Sequence, residues 1–290
     1  MSLTNAWQKL MGACALFLIA GSATVLAYEL NTNTYEAKSA KPLANEELVV
    51  AFSIAPPFVI VDTDFENVRG IDVDIARELQ KRTGFKLKNN RFDIMNFGEL
   101  IDLATIGKID IAGGGITLND DRATKFTLLG PIVSSRSVVV VKDHQIKVNS
   151  LKDLQGHTVA TEMGTTSADI IPPDSDIKMN LNTNASLFMC FYSVATGQAD
   201  SLIADAPIAY DYVKGWKEGN LKLAFALPDT NSNLGLLTTK KPKVSAALQQ
   251  AFNEMCQDGT VEKIVNSYFS DHGDSERNHF SLSEQVLVQN

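Results

Sequence analysis

Apolar and polar positions change their period along this chain in an alternating way. Leu48–Phe52 is a continuous apolar run of the kind that fills a strand buried on both faces. Pro56-Pro57-Phe58 then imposes a turn. Ile71, Ile75, Ala76 and Leu79 recur at helical spacing over 71–83, and Gly84 follows as a C-terminal cap. The pattern predicts further helices over 97–106, 185–196, 244–257 and 260–269. Between them lie short apolar runs that predict strands at Ile109–Ala112, Val138–Val141, Val159–Thr161, Leu202–Ala204, Leu221–Phe225 and Leu234–Leu237. Strand and helix alternate, so the fold class is α/β with mainly parallel sheets.

One short pattern occurs twice. Gly107-Lys108-Ile109-Asp110 and Gly197-Gln198-Ala199-Asp200 each follow a predicted helix and lead into an apolar strand. The echo suggests two similar α/β units side by side, although Gly-x-x-Asp is short enough to arise by coincidence. Ligands of α/β sheets bind outside the carboxyl ends of the strands. Two facing units would make a cleft between them.

The ends read differently. Lys9 is the only charged residue among the first 27, and an apolar run follows from Leu10 to Ala27, ending Val25-Leu26-Ala27. Residues 1–27 are expected to be a secretory signal peptide; the alternative is an uncleaved membrane anchor. Cys14 precedes most of the apolar run, which argues against lipidation. Residues 28–45 are expected to be a flexible leader and 273–290 a polar tail. The 290-residue chain carries a net charge of −8; losing residues 1–27, with one lysine and no acid, makes it −9. An acidic exported chain argues against nucleic acid as a partner. Cys190 and Cys256 could pair in an oxidising compartment, but each sits on an apolar helical face, where a buried free thiol is expected. The four histidines are scattered without metal-ligand spacing, and there is no phosphate loop, so no cofactor is expected.

A collinear set of motifs carries a resemblance. Leu48–Phe58 and Gly70-Ile71-Asp72-Val73-Asp74-Ile75-Ala76 come first, then Gly107-Lys108-Ile109-Asp110-Ile111-Ala112 and Gly115-Ile116-Thr117. Ser150-Leu151-Lys152-Asp153-Leu154-Gln155-Gly156, Gly164-Thr165-Thr166, Gly197-Gln198-Ala199-Asp200 and Ala204-Asp205 follow, and Asp258-Gly259-Thr260 leads to Tyr268-Phe269. Over about residues 46–270 this resembles the periplasmic amino-acid-binding proteins, the family 3 extracellular solute-binding proteins. The resemblance implies a two-lobed type II periplasmic-binding-protein fold, each lobe a mainly parallel sheet flanked by helices, with two crossover hinge strands near 130–136 and 226–231. Lobe one would be 46–133 plus 229–272, and lobe two 134–228. It implies a periplasmic monomer that closes on a small polar ligand, an amino acid or amine, and delivers it to a membrane ABC transporter permease.

The same resemblance nominates site residues. Gly164, Thr165 and Thr166 match the family's anion cradle, where backbone N–H groups meet a helix N-terminus; an ordinary helix cap is the plainer alternative. Asp205 stands where the family places the acid that holds a ligand ammonium, or else it caps a helix over 207–212. Phe97 packs on the ligand or belongs to the core. Gly113 and Gly115 let the backbone face the cleft, and Thr117 offers a hydroxyl or a cap. The family's carboxylate-gripping Arg lies three residues after the position of Thr117, but here that residue is Asp120. Either Arg122 shifts in to do the same work, or the Arg is lost and Asp120, Asp205 and Phe97 suit a cation such as a polyamine. The aromatic residue often found before the Pro-Phe turn is also replaced, by Ala55 and Pro56. A dehydratase on the same fold would need an acid just after Asp205, where the chain reads Ala206-Pro207-Ile208-Ala209, so no catalysis is expected. A sensory or partner-binding receptor domain, and a degenerate binding protein with no small ligand, are the remaining rivals.

Overall fold

The computed structural model describes residues 41–63, 67–170, 176–270, 273 and 278–283. The expected signal peptide and nearly all of the expected leader lie outside them. The chain forms two compact units, Met1–Ala44 and Asn45–Asn290. Of the first, only the turn closed by Ala44 N–H on Lys41 O, at 3.2 Å, is described.

The second unit opens with β1 (Glu47–Leu48), β2 (Val50–Phe52), β3 (Ile60–Val61) and β4 (Val68–Arg69), then α1 (Ile71–Thr83). After β5 (Lys86–Leu87) and β6 (Asp93–Ile94) come α2 (Phe97–Thr105), β7 (Ile111–Thr117), α3 (Asp120–Lys125) and the long β8 (Thr127–Lys142). Next are β9 (Thr158–Glu162), β10 (Asn180–Asn184), α4 (Leu187–Ala195), β11 (Ser201–Asp205) and α5 (Ala206–Gly215). A second long strand, β12 (Leu221–Thr238), precedes α6 (Pro242–Gln257), α7 (Thr260–Phe269) and β13 (Phe280–Leu282). The α1 helix shows why local sequence suffices there. Its buried face is Ile71, Val73, Ile75, Ala76 and Leu79, Asp72 and Asp74 occupy the first turn, and Lys81 and Arg82 the last. Gly84, at φ 83°, ends it in the left-handed conformation.

Nine strands form one sheet in the order β10-β9-β11-β8-β12-β7-β2-β6, with β13 added to β8. Within each half the pairing is parallel: β6, β2 and β7 on one side, β10, β9 and β11 on the other. The two long strands between them run antiparallel to each other and to both halves. A hydrophobic cluster accompanies each half. One gathers Ala51, Phe97, Leu100, Ala112, Ile116 and Leu237; the other gathers Val139, Val141, Leu154, Val159, Ile203 and Leu227. Two cores on one pair of crossover strands is the architecture that the family resemblance implies.

The Gly-x-x-Asp echo is structural. Asp110 donates its N–H to Val49 O at 2.8 Å, and its Oδ2 accepts Val49 N–H at 3.0 Å. Asp200 repeats both bonds with Thr158, each at 2.8 Å. Gly107 and Gly197 turn the chain beforehand at φ 73° and 76°. Each Asp therefore clamps the incoming strand to its neighbour by the same two bonds.

Three expectations need correction. The separate strands at 221–225 and 234–237 are one strand, β12, and Val138–Val141 is only the end of β8. Proline interruptions at Pro131 and Pro228 broke the apolar pattern without breaking the strands. Finally, the expected polar tail contains β13, which pairs antiparallel with Val133–Ser135 and buries Phe280 against Phe269 and Tyr210 at ring distances of 4.7 and 5.8 Å. Cys190 and Cys256 are both free and buried.

Candidate functional site

A small cavity of about 40 Å³ lies at the carboxyl ends of β7, β9 and β11. Phe97, Gly115, Thr117 and Arg122 line it from one half, and Glu162, Thr165, Thr166, Ala204 and Asp205 from the other. It holds water-sized contents only, so a ligand of amino-acid size enters only if the walls part. A larger open recess of about 1050 Å³ adjoins it and shares Ser53. None of the site residues nominated in the sequence lines that recess, and its Arg77, Arg91 and Glu99 are exposed. Buried charges converge in the small cavity, which makes it the candidate site.

Arg122, not Asp120, faces the cavity. Asn119 caps α3, its Oδ1 accepting Arg122 N–H at 2.9 Å, so Asp120 is the first helical residue and stays exposed. The third helical position points inward. Arg122 is 6% exposed, donates Nη1–H to Thr117 O, and lies over the Phe97 ring at 5.6 Å. Burial pushes its pKa down, opposed by the charges of Asp121 and Asp205. Of the two readings left open by the sequence, the geometry is that of Arg122 facing the cavity, while the Asp120 carboxylate does not line it.

Asp205 occupies the N-cap position of α5 but makes no capping bond with its side chain. Its Oδ1 instead accepts Ser232 Oγ–H from β12 at 2.6 Å. Burial raises its pKa; hydrogen bonds from Ser232 and Ser135 and the Arg122 charge oppose this. The carboxylate is thus turned to the crossover strands and the cavity rather than to its own helix.

Phe97 serves both readings, since it belongs to the first core cluster and lines the cavity. Gly113 does not line the cavity; a Cβ there would meet Leu236 and Phe52 at 2.7 and 2.9 Å, so the residue is small for packing. Behind Gly115 stands a residue without an assigned role in the sequence, Asp72. It is fully buried, and its Oδ2 accepts the N–H groups of Gly114 and Gly115 at 2.8 and 3.0 Å. Burial pushes its pKa to about 7 despite those bonds.

The Gly164–Thr166 turn differs from an open anion cradle. Thr165 N–H and Oγ1–H both go to Glu162 O, at 3.3 and 2.9 Å, and only a five-residue 3-10 helix (Thr166–Ile170) follows. Gly164 itself does not line the cavity; a Cβ on it would come within 3.1 Å of Gly98 Cα, so it permits close approach of the two halves. Thr165 and Thr166 remain cavity walls. Sequence reasoning missed Glu162, which is 7% exposed, lines the cavity, and has its pKa pushed up to about 8 by burial. The available signal was an acid ending the otherwise uncharged β9.

Residues 48–271 match the bacterial extracellular solute-binding proteins, family 3. The chain belongs to that family. It is 31% identical over 217 residues to the putative amino-acid ABC transporter-binding protein PatH of Vibrio harveyi, covering 73% of this chain and 84% of that protein. It is 24% identical over 217 residues to the L-cystine-binding protein TcyA of Bacillus subtilis, covering 74% and 78%. Among solved structures it resembles the arginine-binding protein of T. maritima, with 27% identity and a TM-score of 0.68 over 78% of this chain and 96% of the other. An ancestral amino acid-binding protein described as a precursor of cyclohexadienyl dehydratase matches at 26% identity and a TM-score of 0.65, covering 77% and 95%. The fold is the two-lobed type II periplasmic-binding fold, and the function is that of a solute-binding protein. Among the described residues no helix is long and apolar enough to cross a membrane.

Proposed function

We propose that this solute-binding protein works in the periplasm, closes on an amino acid, and presents it to an ABC transporter permease. The observation that carries this reading is the convergence of Arg122 and Asp205, on opposite halves of the fold, on one cavity. Arg122 offers a planar fork to an α-carboxylate, with further N–H donors beyond the one given to Thr117. Asp205 offers a carboxylate to the α-ammonium. Phe97, Gly115, Thr117, Thr165 and Thr166 complete the walls, while Gly113 and Gly164 serve packing.

The lobes are taken as 46–133 with 229–272, and 134–228. Their boundaries fall inside β8 and β12, so bending these two strands parts the walls without breaking either core. The names of the similar proteins support an amino acid over a polyamine, and Asp120, the residue that favoured a polyamine, is outside the cavity. Calorimetric titration with L-amino acids tests the proposal. Binding that Arg122→Ala abolishes supports it; binding of polyamines but not of amino acids refutes it.

A further inference from the structure

We propose that Glu162 selects the ligand, and that this ligand is an α-amino acid with a second positive charge on its side chain. The inference rests on Arg122 and Asp205 as the α-carboxylate and α-ammonium anchors, and adds a third point of attachment. Glu162 ends β9 at the cavity wall and is more than nine-tenths buried. Its carboxyl accepts the Leu187 N–H, while Oε1 has no partner among the described residues. Burying an ionised carboxyl without a counter-charge is costly. Among the described residues no cationic group is paired with it. Cys190 of α4 and Tyr212 of α5 feel its charge, and both have pKa values pushed up by burial, so both stay neutral near pH 7. Arg122 of α3 and Asp205 of β11 face the same cavity, one with each sign.

The unpartnered Oε1 at the cavity wall points to the ligand class. A neutral-side-chain amino acid pairs its carboxylate with Arg122 and its ammonium with Asp205, and leaves Glu162 a buried neutral acid whose Oε1 has no partner among the described residues. A guanidinium or ammonium on the side chain gives Glu162 the counter-ion that the protein lacks. The free protein holds Glu162 protonated below about pH 8. Binding the cation therefore releases a proton to solvent, and affinity rises with pH up to about 8 and levels off above it.

The test is titration of the purified wild type and of Glu162→Gln with L-arginine, L-lysine, L-glutamine and L-leucine. It is run between pH 6 and pH 8, in buffers of differing ionisation enthalpy. The wild type is expected to prefer arginine or lysine over glutamine and leucine and to release a proton on binding. Glu162→Gln keeps the volume; it is expected to weaken the basic ligands by roughly 30-fold or more, end the proton release and still bind glutamine. Retained glutamine binding shows that the variant is folded. A wild type that binds neutral amino acids as well as basic ones, with Glu162→Gln unchanged, overturns the inference and leaves the amino-acid reading standing. A wild type that binds none of the four also overturns the inference, and the wider amino-acid and polyamine titration then decides the amino-acid reading separately.

Discussion

Ser232 on β12 donates a 2.6 Å hydrogen bond to Asp205 at the end of β11. The bond ties a ligand-facing acid to one of the two crossover strands. It also leaves the N-cap of α5 without a side-chain bond, which separates Asp205 from an ordinary cap. Asp205→Ala is therefore expected to weaken ligand binding by about 2–5 kcal/mol, as for loss of one partner of a buried charge pair. Ser232→Ala removes only the orienting bond and should cost about 1.5–3 kcal/mol. Titration calorimetry of both variants checks the order; equal, negligible losses would make Asp205 a structural residue.

Arg122 and Asp120 make a paired prediction. Arg122→Lys keeps the charge but loses the planar fork and the cover over Phe97, so it should not restore affinity lost in Arg122→Ala. Asp120→Asn, on the exposed face of α3, should leave the dissociation constant within experimental error. An Asp120→Asn protein that binds markedly more weakly would place the ligand elsewhere.

Asp72 should leave a mark on stability against pH. Its pKa is near 3.8 in the unfolded chain and about 7 in the fold. Between those values the folded state binds more protons than the unfolded state, so this group's contribution to stability falls as pH rises from about 4 to about 7. Asp72→Asn removes that slope. Thermal midpoints measured across this range should converge or cross for wild type and variant; parallel curves would show that Asp72 titrates normally.

Phe280 tests the tail. Its ring packs on Phe269 of α7 and Tyr210 of α5, and it is only 3% exposed. Phe280→Ala should destabilise the protein by about 3 kcal/mol in a denaturant titration. No change in the midpoint would mean that β13 adds nothing to the folded state.

How much of this was legible in the sequence depended on whether local pattern or long-range contact decided the matter. The α1 helix was readable because its spacing, its charged ends and Gly84 agree. The repeated Gly-x-x-Asp was readable as a pattern, but its reason, the clamps on Val49 and Thr158, lies in contacts 61 and 42 residues apart. The long strands β8 and β12 were hidden by Pro131 and Pro228, which edge or irregular positions tolerate. Arg122 could only be left open, because its inward direction depends on Asn119 starting the helix one residue before Asp120. Glu162 and Asp72 escaped because burial of an acid has no sequence period. β13 escaped because three residues in a polar stretch carry too little pattern, and its partner strand lies about 145 residues away.

The central claim is that Arg122 and Asp205 together hold an amino acid between the two halves. Titration of wild type and Arg122→Ala with a panel of L-amino acids tests it most directly. Saturable binding by the wild type with one ligand per chain, lost in Arg122→Ala while the thermal midpoint without ligand is kept, is the predicted result. Undiminished binding by Arg122→Ala would contradict it.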